Sequence, residues 1–102
     1  MPDPYKQTHC GLVHRHRVVY ETIRAKLAAE AELRKGRTVE EWILTERECV
    51  QREVNRQRRQ LAYEPVDIAI VERAERMAVG HSDYISQYAH AAADLVFRKE
   101  AT

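Results

Sequence analysis

The stretch QREVNRQRRQ, residues 51–60, carries four arginines, three glutamines, an asparagine and one apolar residue. Wound as a helix at about 100° per residue, it sets Arg52, Asn55, Arg56 and Arg59 on one arc. Ile43, Val50, Val54 and Leu61 fall on the opposite side. One face therefore seals a core while the other offers guanidinium groups to the outside. Read this way, the segment is the second half of a long helix, and the rest of the chain falls into place around it.

Upstream, Thr38-Val39-Glu40-Glu41 has the spacing of a capping box, in which the hydroxyl and the carboxylate satisfy each other's backbone donors. Thr45-Glu46-Arg47-Glu48 repeats the pattern, but the apolar stripe keeps its phase there, so one helix runs from 38 to 63. Glu64-Pro65 ends it, because the residue before a proline is driven out of helical geometry. Pro65 then suits the first position of a third helix over 65–79, with Asp67 near its positive end. Ile70, Val71, Ala74, Met77 and Ala78 form its inward side.

The first helix spans 12–35. Leu12, Val19, Tyr20, Ile23, Leu27 and Ala31 make its stripe, and Gly36 is a suitable stop. Gly80 closes the third helix, and Ser82 or Asp83 caps a fourth over 83–99. Loops of about two to four residues make sequential helices antiparallel. The expected fold is all-α: a small four-helix bundle-like assembly of two consecutive helical hairpins. Residues 1–11 form an irregular segment, and 12–102 a single helical domain.

Composition agrees. The chain has 102 residues, 44% hydrophobic and 32% charged, with three glycines and three prolines, which suits one helical domain with a core. No apolar run approaches the roughly 18 residues of a membrane span, and no signal-peptide pattern is present. A cytoplasmic protein is expected, with no membrane contact. Two cysteines, Cys10 and Cys49, are too few for a disulfide framework. Thirteen arginines against four lysines, with abundant alanine, is the usage of a GC-rich genome such as an actinobacterium or one of its phages. Net charge is +1, with a basic surplus before residue 37 and an acidic one after residue 65.

The fourth helix is apolar on two sides. Ile85, Tyr88, Ala92 and Leu95 make a coiled-coil-like seam, while His90, Ala93 and Phe97 lie opposite. Such a helix is either central to the fold or shared with a second molecule. The expectation favours the second, a homodimer using His90, Ala93 and Phe97.

Candidate chemistry is sparse. His9, Cys10, His14 and His16 cluster in sequence, but on a helix His14 and His16 point about 200° apart and cannot grip one ion. His16 falls in the apolar stripe as a core histidine. His81 and Asp83 sit beside Tyr84 at a turn, where capping explains them better than acid–base work. No nucleophile elbow, phosphate loop or metal-binding helical motif is present. No catalytic residue, metal, cofactor or small-molecule substrate is therefore expected.

What remains is the arginine face. Arg52, Arg56 and Arg59, one turn apart, suit a row of phosphates or an acidic protein surface, and Asn55 between them suits a base edge. Glu48, four residues before Arg52, suggests that part of the face is internally paired. The expected function is non-enzymatic: a regulatory or accessory interaction protein with a protein partner. The alternative is a nucleic-acid-binding protein using this helix, disfavoured by the near-neutral charge.

Overall fold

The computed structural model describes residues 9–100, with side chains from His14 onward. Four helices follow one another: α1 (His9–Leu33), α2 (Val39–Gln60), α3 (Ile68–Ala78) and α4 (Tyr84–Phe97). Among the described residues there is no strand. The helices assemble as the expected small bundle. Residues 9–11, expected to be irregular, are the first turn of α1, and the linkers of five, seven and five residues exceed the expected lengths.

α4 occupies the centre, packed by α1, α2 and α3, whereas α1 and α3 do not touch among the described residues. The alanines of α4 make this possible. Ala89, Ala91, Ala92 and Ala93 are all buried, and their small side chains let three neighbours approach one helix. The core adds Val19, Ile23 and Leu27 from α1, Val50 and Val54 from α2, and Val71, Ala74 and Ala78 from α3. Met77, assigned to the inward side of the third helix, is instead exposed, and Glu75 is buried in its vicinity. Arg47 of α2 binds both carboxylate oxygens of Glu75, at 2.9 and 2.8 Å, so the ion pair takes the place of an apolar contact.

The helix ends show where tertiary contacts override local signals. Gly36 and Gly80 both adopt positive φ, as a stop requires. Thr38 holds the N-cap position of α2 in extended conformation, but its side chain makes no capping bond. The capping box does not form: the Arg37 guanidinium donates to the Glu41 carbonyl and lies near its carboxylate. Pro65 does not begin α3. Val66 beyond it stays outside the helix, with Asn55 binding both its N–H and its carbonyl. Asp67 becomes the N-cap instead, accepting from the Ile70 amide at 3.2 Å.

α2 ends at Gln60, three residues before its expected limit. The Tyr63 amide reaches back to the Arg58 carbonyl and the Ala62 amide to the Arg59 carbonyl, the paired bonds of a Schellman stop. That stop needs a left-handed residue, and here it is Ala62, at φ 58°. No glycine marks it in the sequence. Forcing an alanine into this region costs roughly 1–2 kcal/mol.

Arg58 itself points inward and is 0% exposed. Its guanidinium donates to the carbonyls of Leu95 (2.7 Å), Val96 and Arg98 at the end of α4, and to that of Glu64 in the linker. It also lies 5.5 Å from the Tyr63 ring centroid. Carbonyls left without helical partners at the end of α4 are thus satisfied by a cation placed at the negative pole of the helix. Burial pulls the guanidinium's pKa below its ordinary value.

Two stability predictions follow from these ends. Arg58→Met, which fills the same space without donors, should lower the free energy of unfolding by about 3 kcal/mol, since buried acceptors lose charged partners. In urea this should appear as a lower midpoint at unchanged slope; a midpoint within error of wild type would contradict the capping role. Ala62→Gly should move the other way. Relief of the left-handed strain, less the extra entropy glycine loses on folding, leaves a gain of up to about 1 kcal/mol, readable as a higher thermal midpoint.

Candidate functional site

Not all of the arginine-rich stretch faces outward. Glu46, Val50, Val54 and Arg58 recur at intervals of four and are all buried, so the inward stripe of α2 begins and ends with a charge. Glu53 beside it is also buried. Periodicity alone signals the burial of Arg58; its residue type hides it. Ile43 and Leu61, expected on the sealed side, are only partly buried.

Outside, Gln51, Arg52, Asn55, Arg56 and Arg59 line one shallow depression. Arg52 and Arg59 are exposed, and among the described residues neither meets a carboxylate. The Glu48–Arg52 pair that the spacing suggested does not form. Arg56 is half-exposed and anchored by Glu53 through its Nε and Nη2, the latter at 2.6 Å. Burial pushes the Glu53 carboxyl up, but hydrogen bonds from Arg56 and Gln57, with the nearby Lys26, outweigh it and hold the group below its ordinary value.

Asn55 plays a different part from the one its position suggested. Its amide donates to the Val66 carbonyl at 3.0 Å and its oxygen accepts from the Val66 amide at 2.8 Å. Gln51 donates to the same carbonyl at 3.2 Å. The side chain is a clamp that holds the α2–α3 linker against α2, and its base-reading groups are spent.

His90, Ala93 and Phe97 were expected to meet a second copy. The structure buries Ala93 where α1 packs on α4 and half-buries Phe97 there, while His90 stays exposed beside α1. Ala93 is 0% exposed; the His90 and Phe97 rings lie 5.2 and 5.9 Å from that of His16, and Tyr20 meets His90 edge-on at 6.3 Å. α1 occupies this face, so another chain could reach Ala93 only by displacing it. The double apolarity of α4 reflects its central position.

His16 is likewise not a core histidine. It is partly exposed, and its Nε2 lies 2.7 Å from Asp94 Oδ1, while His90 Nδ1 lies 3.6 Å from Asp94 Oδ2. No local pattern announces this trio, because residues 16 and 94 meet only through the antiparallel packing of α1 and α4. The side chains of His9 and Cys10 lie outside the described ones. Cys49 is partly buried, which raises its thiol pKa and leaves it a poor nucleophile.

At the far end of the bundle, Glu46 accepts from Arg34 at 2.9 Å and from the Tyr84 hydroxyl at 2.8 Å. Burial raises its carboxyl despite the hydrogen bond from Tyr84 and the charge of Arg34. Burial likewise raises Tyr84 and Tyr88. Tyr84 is thereby committed to the core, and His81 and Asp83 remain exposed at the turn. The same end carries Leu33, Val39, Leu44, Met77 and Val79, five exposed large apolar side chains. The Arg34–Glu46 and Arg47–Glu75 pairs bring these segments to one pole.

Among the described residues no helix is long and apolar enough to cross a membrane. No protein-family model, curated protein or solved structure matches the chain.

The clamp and the free face separate cleanly on mutation. Asn55→Ala should cost about 2 kcal/mol by orphaning the Val66 amide and carbonyl, whereas Arg52→Ala should stay within about 0.5 kcal/mol. Equal denaturation midpoints for the two variants would remove Asn55 from its structural role.

Proposed function

We propose that the chain is a non-enzymatic helical interaction protein, regulatory or accessory, whose arginine face docks an acidic surface of a protein partner. The observation that carries this reading is the engagement of Asn55 with Val66. With Asn55 turned to the linker, the face offers the charges of Arg52 and Arg59, with Arg56 held beside them by Glu53, and the residue placed to read a base edge is engaged elsewhere. Glu53 fixes the Arg56 guanidinium at the rim, lowering the entropy lost when a carboxylate binds. Planar guanidinium groups suit bidentate pairing with carboxylates. A net charge of +1 supports the same choice, since dedicated nucleic-acid binders usually carry a larger basic surplus.

Nucleic-acid binding through phosphates remains the second reading, favoured by the one-turn spacing of the three arginines. Self-association of the chain is not needed to explain any face of α4.

Charge reversal tests both readings. In affinity capture from the native cells, Arg52→Glu/Arg59→Glu should lose a partner that wild type retains at low salt and releases as salt rises. Retention should survive nuclease treatment. Nuclease-sensitive retention, or a gel shift of duplex or single strands that the double variant abolishes, would transfer the face to nucleic acid. Capture indifferent to the reversal would show the arginines to be merely solvated.

A further inference from the structure

His90 and Asp94 stand one turn apart on α4, so their side chains share a face. The antiparallel α1 brings His16 over them, in the register that also joins Arg24 to Ser86 at 3.0 Å. One ligand atom from each of His16, His90 and Asp94 lies within 4.8 Å of the other two. We propose that these three residues form a binding site for a divalent transition metal of the zinc type, which staples α1 to α4.

The geometry fits the ion. Zinc–nitrogen and zinc–oxygen bonds of about 2.0–2.2 Å set ligand atoms roughly 3.3 Å apart in a tetrahedron. His16 Nε2 lies 2.7 Å from Asp94 Oδ1 and His90 Nδ1 lies 3.6 Å from Asp94 Oδ2, so each imidazole meets its own oxygen of the one carboxylate at close to that spacing. Small side-chain rotations would admit the ion. It would replace the direct histidine–carboxylate contact and leave both helices in place.

The ligand set fits as well. Two imidazoles and one carboxylate suit zinc and its neighbours, while magnesium and calcium prefer all-oxygen shells. The Phe97 and Tyr20 rings wall one side of the cluster, and an apolar wall limits water around bound ligands. The other side is open: side-chain exposure is 64% for His90 and 52% for Asp94, against 27% for His16. Three protein ligands leave a fourth position to water. The site is thus accessible to the ion without unfolding, and it is separate from the arginine face.

Calorimetric titration of the chelator-stripped chain with zinc chloride at neutral pH tests this. The expected result is one ion per chain, a thermal midpoint that rises with zinc and not with magnesium, and a tetrahedral cobalt absorption spectrum on cobalt(II) substitution. His90→Ala and Asp94→Asn should each weaken zinc binding by at least about tenfold, since even supporting residues outside the ligand shell cost that much. Both residues are exposed, so their variants should retain the wild-type circular dichroism. His16→Ala, which also loses the ring contact with Phe97, serves as the third ligand variant. Absence of zinc binding by wild type overturns the proposal. Equal binding by wild type and the His90 and Asp94 variants overturns it too, since the ligands would then lie elsewhere.

Discussion

The structure depends on one buried cation. Arg58 leaves α2 on its inward side and ends α4 by supplying donors to the carbonyls of Leu95, Val96 and Arg98. The same guanidinium holds the Glu64 carbonyl, and with it the start of the linker. Its own main-chain carbonyl accepts the Schellman bond from Tyr63. A single residue thus closes α2, directs the chain toward α3 and fixes where α4 stops. Among the described residues no carboxylate forms an ion pair with it. The partial negative charge of a helix C-terminus, about half an elementary charge, is what makes its burial tolerable.

Two more charged anchors complete the frame at the opposite pole. Glu46 joins α2 to Tyr84 of α4 and to Arg34 beyond α1, and Glu75 joins α3 to Arg47 of α2. Between the poles the packing is mostly valine, isoleucine, leucine and alanine. Such packing holds helices together but leaves their axial register loosely set, and the directed bonds of the buried charges supply that register. Asn55 does the same for the α2–α3 linker.

This inner use of polar groups determines what the surface retains. Of the polar residues in the 51–60 stretch, Arg58 and Asn55 serve the fold, Glu53 and Gln57 hold one another and Arg56, and Arg52 and Arg59 are left outside. The face is smaller than the composition implies, and more rigid at Arg56. The aromatic cluster of His16, Tyr20, His90 and Phe97 arises similarly, where α1 covers the side of α4 that resembled an open interface.

The number of helices, their approximate spans, the stops at Gly36 and Gly80 and most apolar core residues were legible in the sequence. Each rests on period-3.6 patterning or local backbone preference, which act within a few residues. Tertiary structure decided the rest. The early end of α2, with a left-handed Ala62 and no glycine, goes with the tertiary anchoring of Arg58, whose guanidinium holds both the Glu64 carbonyl and the end of α4. Pro65 yields the start of α3 to Asp67, since Asn55 engages the Val66 N–H and carbonyl and keeps Val66 out of the helix. The inward turn of Arg58 follows the stripe of Val50 and Val54, but only carbonyls from α4, about 40 residues away, make its burial favourable. The union of His16 with His90 and Asp94, and the covering of Ala93, depend on α1–α4 register, which no local pattern encodes. Interactions between near neighbours are written in the spacing of residue types; those between distant segments exist only once the helices have packed.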